Sequence, residues 1–276
     1  MRAALIQSTS SDDPRENLAW MSVQIRAAVQ GGAGFILTPE VSNCVSSSRA
    51  HQNSVLQLEA DDLSLAGYRA LAAELGIWIL IGSLALKTGD ADGRFANRSF
   101  VIDPKGDVAA RYDKIHMFDV DVTPEETYRE SAGYRPGTRA VVAETAFGTL
   151  GLSICYDLRF AYLYRALAHV GAQILTVPAA FSYVTGAAHW EALLRARAIE
   201  TGCYVLAPAQ CGTHSASVGQ KRRTYGHSLV ISPWGEVLAD GGIEVGTVYI
   251  DLDLTQVEKA RSKIAALRHD REFEGP

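Results

Sequence analysis

Cysteine is scarce in this sequence and forms no recognisable pair. The 276 residues include only four cysteines, Cys44, Cys155, Cys203 and Cys211, and no two of them form a Cys-x-x-Cys pair. A chain of this length can bury a sufficient core without disulfide cross-links. Cys203, Cys211 and His214 lie close in sequence, but not at the spacing of a tetrahedral zinc site. We therefore expect a reduced, cytoplasmic protein without a bound metal.

Long apolar runs and an excess of one charge are also missing. The longest apolar stretch, GIWILIGSLAL at residues 76–86, is too short to cross a bilayer. The first residues run directly into AALIQS, which is typical of a strand rather than of a secretory leader. The formal net charge is −5, which argues against nucleic acid or an anionic membrane as a partner. The basic cluster Lys221, Arg222 and Arg223 is typical of a solvated loop or a substrate rim.

Apolar segments of strand length alternate with segments of helix length, and no linker or low-complexity run divides them. Together they predict one α/β domain over residues 1–276, with mixed sheets because hairpins are present. FILTPE early and QILTVPAA late each follow a strand and a helix, which hints at two sheets related by a pseudo-twofold axis. The predicted helices are 14–30, 64–75, 160–170, 188–202 and 254–267; the predicted strands are 2–8, 35–41, 78–86, a hairpin within 97–115, 149–155, 173–181, 204–210, 227–233 and 246–253.

The stretch GLSICYDLRF, residues 151–160, places Cys155 where a predicted strand ends and a helix begins. Such a turn presents its side chain to a cleft and directs the first N–H groups of the helix at whatever that side chain attacks. A thiol in this position can lose its proton more easily than a free thiol. The alternative is a packing role, since free cysteine is among the most buried residue types.

Two further stretches place ionisable side chains at strand ends. Glu40 in LTPEV follows a predicted strand, where a carboxylate can point into the crevice that α/β sheets use for ligands. Lys114 in RYDKIHMFD ends another strand. Considered singly, Glu40 is typical of a solvated acid and Lys114 of a surface ion pair with Asp113.

Considered together, TPE, YDKIHMFD and SICYDLRF resemble, in that order, the three motifs of the nitrilase superfamily of carbon–nitrogen hydrolases. The resemblance extends over nearly the whole chain. It implies a four-layer α-β-β-α sandwich of two mixed sheets that pairs as a homodimer. It also implies a catalytic triad of Glu40, Lys114 and Cys155, and a second glutamate that falls on Glu130. No metal or organic cofactor is needed for the implied chemistry.

That chemistry is hydrolysis of a linear carboxamide to a carboxylate and ammonia through a thioester. Cys155 attacks the amide carbon, while Glu40 takes the thiol proton, returns it to the departing nitrogen and then activates water. The ammonium of Lys114 stabilises the oxyanion, with the backbone N–H of Tyr156 as a second donor.

The expected substrate class follows from the later stretches. Residues 183–214 and 225–236 resemble the amidase branch, and within it the deaminated glutathione amidases. Residues 116–131 resemble at least as closely the ω-amidases, which act on 2-oxoglutaramate and 2-oxosuccinamate. A nitrilase or an N-carbamoyl amine hydrolase would use the same triad, whereas a non-catalytic binding module would be expected to have lost part of it.

Four further side chains are expected at the substrate pocket, besides Tyr156. The segment 182–190, with Thr185, His189 and Trp190, is predicted to line the pocket as a loop before its helix. Arg159 is expected to meet a substrate carboxylate, or else to pair with Asp157. An insertion at Thr123–Glu126 and the Lys221–Arg223 loop depart from both amidase patterns.

Overall fold

The computed structural model describes residues 1–123 and 126–275, so Pro124 and Glu125 of the insertion lie outside the described residues. Within those residues, no helix combines the length and the apolar character needed to cross a membrane. The helices are α1 (Pro14–Gln30), α2 (Arg49–Val55), α3 (Leu63–Leu75), α4 (Ala161–His169), α5 (Tyr183–Thr201) and α6 (Thr255–Lys263). The strands are β1 (Arg2–Gln7), β2 (Phe35–Leu37), β3 (Trp78–Lys87), β4 (Phe95–Ile102), β5 (Val108–Asp113), β6 (Asp119–Thr123), β7 (Glu126–Arg129), β8 (Val142–Thr145), β9 (Gly148–Leu152), β10 (Ile174–Thr176), β11 (Tyr204–Ala207), β12 (Cys211–Thr213), β13 (Arg223–Tyr225), β14 (Leu229–Ile231), β15 (Val237–Asp240) and β16 (Gly246–Asp251).

Two six-stranded mixed sheets form the centre of the protein. The first has the order β16-β1-β2-β3-β4-β5 and the second the order β15-β14-β11-β10-β9-β8. If the second sheet is followed from β8, both have the same succession of pairings: antiparallel, parallel, parallel, antiparallel, antiparallel. The sheets therefore repeat one topology, as the FILTPE and QILTVPAA echo suggested.

Alternation along the strands builds the four layers. In β1, Ala3 and Leu5 pack into the core that contains the second sheet, whereas Ala4 and Ile6 pack with residues of α1 and α3. Successive side chains point to opposite faces of a strand, so one short apolar run can serve both cores. Helices α4 and α5 contribute to the core of the second sheet. The α-β-β-α sandwich expected from the resemblance is confirmed.

One glycine allows the two sheets to approach each other where the functional residues lie. A Cβ at Gly82, in β3, would stand 1.8 Å from the carbonyl oxygen of Thr38 and 2.5 Å from Cβ of Pro178. Thr38 follows β2 of the first sheet, and Pro178 follows β10 of the second. Only a residue without a side chain fits between these two turns.

Several predicted boundaries differ from the structure. Helix α5 begins at Tyr183 rather than at residue 188, so most of the predicted 182–190 loop is helical. Strands β2, β10 and β11 have three or four residues each, because the chain turns away from the sheet soon after the buried triplet. The β6–β7 hairpin and the α2 helix had no counterpart in the sequence-based prediction.

Candidate active site

Cys155 lies in a strained turn between β9 and α4. It opens a short 3-10 helix, Cys155–Arg159, rather than the α-helix expected there. Its φ angle is +48°, in the left-handed region that non-glycine residues rarely adopt. The turn is held by the Cys155 N–H, which donates to the carbonyl oxygen of Pro178 at 2.9 Å. Strain of this kind persists only where the surroundings impose it, and it is frequent at functional sites.

Glu40 lies at the end of the equivalent turn in the first sheet. The next residue, Val41, also has a positive φ angle, +45°, which is unusual for a β-branched residue. The Val41 N–H donates to Oγ of Ser83 at 2.7 Å. The Glu40 carboxylate accepts the N–H of Ala180 at 2.7 Å and Nδ2 of Asn97 at 2.9 Å. These bonds hold the carboxylate inward, and Glu40 is only 4% exposed.

Lys114 lies directly after β5 and joins the two glutamates. Its Nζ is 2.9 Å from Oε1 of Glu40 and 2.9 Å from both carboxylate oxygens of Glu130. Glu130 also accepts the N–H of Phe118 at 2.6 Å. Lys114 is 2% exposed, so its alternative interpretation as a surface ion pair with Asp113 does not hold. A buried ammonium is thus held between two carboxylates.

The ionisation states follow from burial and from these neighbours. Burial acts to raise the pKa of Glu40, but the charges of Lys114 and Arg222 outweigh it and the pKa is lowered. Burial acts to lower the pKa of Lys114, yet Glu130 and Glu40 hold it well above its usual value. Burial and the Glu40 charge raise the pKa of the Cys155 thiol, although Lys114 partly offsets them. The expected easier loss of the thiol proton is therefore wrong for the free enzyme, because burial outweighs the nearby ammonium.

One cavity of about 320 Å³ is lined by the four residues of the predicted catalytic set: Glu40, Lys114, Glu130 and Cys155. Aromatic rings of Phe118, Tyr128, Tyr134, Tyr156 and Phe181 make up much of its wall. Its size suits a small ligand, and apolar walls around a few convergent polar groups are typical of ligand pockets.

Asp157 ties the Cys155 turn to the segment that carries Lys114. It is fully buried, and it accepts hydrogen bonds from the Tyr112 hydroxyl at 2.6 Å and the Ile154 N–H at 2.9 Å. It also accepts the backbone N–H of His116 at 3.0 Å. The interpretation of Asp157 as the partner of Arg159 is therefore wrong, since other donors occupy its oxygens.

The remaining predicted pocket residues are divided between wall and surroundings. Tyr156 lines the cavity, whereas Arg159, Thr185, His189 and Trp190 do not. Arg159 lies over the Tyr156 and Phe181 rings at 5.8 and 5.6 Å and bonds Nδ1 of His189 at 3.3 Å. Trp190 is 1% exposed and donates to the His227 carbonyl oxygen at 2.8 Å. Thr185, His189 and Trp190 therefore lie in helix α5 outside the cavity wall.

The sequence-based prediction missed several polar residues of the cavity wall, of which Asn97 contacts both glutamates. Nδ2 of Asn97, in β4, lies 2.9 Å from Glu40 and 3.4 Å from Glu130. Its one signal in the sequence is an amide side chain within a strand that begins and ends with apolar residues, FANRSFVI.

Comparisons with known proteins agree with this arrangement. The chain matches the family described as carbon-nitrogen hydrolase over residues 2–262. It is 39% identical to a deaminated glutathione amidase of Yersinia enterocolitica, over 97% of this chain and 92% of that protein. Among solved structures, the C. elegans NitFhit protein has a TM-score of 0.90 at 35% identity, over 98% of this chain and 65% of that one. Saccharomyces cerevisiae Nit3, a nitrilase superfamily member, has a TM-score of 0.84 at 25% identity, over 96% and 94% of the two chains. The chain belongs to the carbon–nitrogen hydrolase family.

Proposed function

We propose that this protein is a cysteine-dependent amidase whose substrate is deaminated glutathione. The observation that carries the mechanism is the ammonium of Lys114, held between the buried carboxylates of Glu40 and Glu130 in the cavity that also contains the Cys155 thiol. A nucleophile, a base and a fixed positive charge thus surround one space, as acyl transfer requires.

The first step is attack by Cys155 on the amide carbon. The lowered pKa of Glu40 keeps it ionised at neutral pH, while the raised pKa of the thiol keeps the proton on sulfur. Glu40 therefore takes the proton as the C–S bond forms, rather than acting on a preformed thiolate. An ammonium has three N–H donors. One N–H of Lys114 serves Glu40 and one is shared by the two oxygens of Glu130, so the third is left to stabilise the oxyanion, with the Tyr156 N–H as a second donor.

The second step is collapse of the tetrahedral intermediate. Glu40 returns the proton to the amide nitrogen, the C–N bond breaks, and Cys155 keeps the acyl group as a thioester. In deaminated glutathione this nitrogen belongs to cysteinylglycine, so the dipeptide leaves as an amine. The expectation of ammonia holds only for a primary amide such as 2-oxoglutaramate. Glu40 then activates water, which releases the carboxylate and restores the thiol.

The substrate proposal rests on relatives. Proteins named deaminated glutathione amidase, from bacteria and mammals, are 37–39% identical to this chain over 97% of its length. Deaminated glutathione and 2-oxoglutaramate share one acyl half, so both release 2-oxoglutarate on hydrolysis. They differ only in the leaving amine, which is cysteinylglycine for deaminated glutathione and ammonia for 2-oxoglutaramate.

The test is therefore to measure release of 2-oxoglutarate from deaminated glutathione and from 2-oxoglutaramate. A nitrile and an N-carbamoyl amine are assayed in parallel by release of ammonia. We expect the highest kcat/KM for deaminated glutathione and no turnover by Cys155→Ala. Cys211→Ala is the matched control, because its thiol is buried outside the cavity wall. A tenfold preference for 2-oxoglutaramate, about 1.4 kcal/mol, would reassign the protein to the ω-amidases. Turnover in Cys155→Ala would refute the mechanism.

Homodimer assembly and a cytoplasmic location stay as proposals from the family resemblance and from cysteine usage. All four cysteines are free thiols, which is compatible with a reducing compartment. Light scattering coupled to size-exclusion chromatography tests the first proposal, and fractionation of the source cells tests the second. A monomer or a membrane-bound pool would contradict them.

A further inference from the structure

We propose that Arg222 binds a carboxylate of the substrate and so recognises its negative charge. This assignment rests on the proposed function. Arg222 lines the same cavity as Cys155. Among the residues that the structure describes, no carboxylate lies within ion-pair distance of its guanidinium. Its Nε is buried and has no hydrogen-bond partner. A buried polar group left unpaired is costly, so its presence in a pocket indicates a ligand that completes it.

The other arginines in the cavity wall are already engaged. Arg129 bonds both carboxylate oxygens of Asp121, at 2.7 and 2.9 Å. Arg49 lies 3.6 Å over the Phe95 ring, and its two terminal nitrogens donate to the backbone carbonyl oxygens of Gly133 and Gly93. Of these three arginines, only Arg222 has a buried N–H without an acceptor among the described residues.

The neighbours of Arg222 in the sequence do not share its environment. Arg223 lies 3.9 Å over the ring of Tyr183, and Lys221 is exposed; neither lines the cavity. Arg222 instead donates to the carbonyl oxygen of Ala180 and lies 5.8 Å over the Tyr128 ring. Of the basic loop, only this side chain is therefore placed to meet a substrate.

The contacts of Arg222 also place it close to the base, Glu40. It donates to the Ala180 carbonyl oxygen, and the Ala180 N–H donates to the Glu40 carboxylate. One residue, Ala180, therefore bridges the guanidinium and the base through its carbonyl oxygen and its N–H. The Glu40–Glu130–Lys114 cluster has a net charge of −1 when both acids are ionised, so it would repel an anionic substrate. Arg222 balances that charge and can hold a carboxylate a few bonds from the amide, with a planar fork suited to two-point binding.

Deaminated glutathione has two carboxylates that could serve, one on the 2-oxo-acid half and one on the glycine. Steady-state kinetics of Arg222→Gln on deaminated glutathione, 2-oxoglutaramate and pentanamide distinguish them. We expect kcat/KM for a carboxylate-bearing substrate to fall by about 10- to 100-fold more than for pentanamide, as for the loss of a charge-assisted bond. A loss confined to deaminated glutathione assigns the glycine carboxylate, and a loss on both oxo acids assigns the shared half.

Pentanamide is the essential reference, because Arg222 also acts on the ionisation of Glu40 and Cys155. That electrostatic effect changes turnover of every amide equally, so an equal loss on all three substrates would overturn the proposal. No loss on either oxo acid would do so as well. Arg223→Gln is the matched control and leaves all three rates near wild type, while Arg222→Lys restores only part of the loss because it lacks the fork.

A binding measurement separates this proposal from the proposed function. In the Cys155→Ala background, calorimetric titration with deaminated glutathione needs no turnover, and adding Arg222→Gln is expected to weaken binding at least tenfold. Unchanged binding would overturn the carboxylate assignment. If binding depends on Arg222 but the wild-type protein hydrolyses no amide, the carboxylate assignment stands and only the proposed function is refuted.

Discussion

Replacement of Lys114 by methionine removes the cation that separates two buried carboxylates. The methionine side chain has a similar length and no charge, so Glu40 and Glu130 would face each other without compensation. The side chains of Lys114, Glu40 and Glu130 are only 2%, 5% and 15% exposed. Removing one partner from a buried ion pair costs about 3–5 kcal/mol. We expect a loss of that size in the free energy of unfolding at pH 8.

The loss of stability in Lys114→Met should become smaller as the pH falls, because the pKa of Glu40 shifts in opposite directions in the two proteins. In the wild type, Lys114 helps to keep the pKa of Glu40 below its unfolded value, so this contribution to stability is present above about pH 4.3 and disappears on acidification. In Lys114→Met, the larger of the two charges that offset burial is gone and only that of Arg222 remains, so we expect the pKa of Glu40 to rise above its unfolded value. The variant then loses stability as the pH rises from about 4.3 through that folded pKa. The difference between the two proteins is thus largest at pH 8 and smaller at pH 5.

Urea unfolding at pH 8 and pH 5 measures this difference, and amide turnover measures the loss of the oxyanion donor. One such donor contributes about 3 kcal/mol, so turnover should fall at least about 100-fold. Lys105→Met is the control, because Lys105 lies exposed in a turn and should shift stability by no more than about 0.5 kcal/mol. A Lys114→Met loss below about 1 kcal/mol at pH 8, or an equal loss at both pH values, would refute the reasoning.

Three further predictions test other parts of the structure. Glu130→Gln should lower kcat/KM by roughly 10- to 100-fold because it weakens the hold on Lys114, whereas exposed Glu258→Gln should not; near wild-type kinetics would remove Glu130 from the site. Gly82→Ala should cost about 3 kcal/mol of stability in urea unfolding, since its Cβ would meet the Thr38 carbonyl oxygen, whereas Gly246→Ala meets nothing within 4 Å; equal stabilities would contradict the close approach of the two turns. Thiol titration of denatured, unreduced protein should find four free sulfhydryls, and fewer would contradict the reduced state.

The sequence predicted those parts of the protein that depend on local pattern. The apolar pattern identified α1, α3 and β3 almost to the residue, because each helix has a regular buried face and β3 is one continuous buried run. The start of α5 was missed, since small residues and Thr185 ahead of the helix resemble a loop. The short β2 was predicted too long, because the strand ends at Leu37, just before Pro39, although the chain stays buried through Val41.

For the candidate site too, the sequence predicted the residues that lie in local motifs but not the long-range contacts between them. Glu40, Lys114, Cys155 and Glu130 were identified by resemblance to a family, and the structure brings all four to one cavity. The supporting contacts are long-range: Asn97 reaches Glu40 across 57 residues and Asp157 reaches Tyr112 across 45. No local pattern encodes such contacts. The basic loop was visible in the sequence, but which of its side chains turns inward depends on the fold.

The most direct test of the central claim is mass spectrometry of the enzyme during turnover. Rapid acid quenching of wild type with deaminated glutathione should preserve a 2-oxoglutaryl thioester, which peptide mapping would locate. We predict that the acyl group is on Cys155 alone and that Cys155→Ala forms no adduct. Cys44 is an internal control, because it also lines the cavity and burial raises the pKa of its thiol to about 12, yet its Sγ donates to the Asp12 carbonyl oxygen at 3.6 Å rather than to a carboxylate base. An acyl group on Cys44, or turnover by Cys155→Ala without any adduct, would contradict nucleophilic catalysis by Cys155.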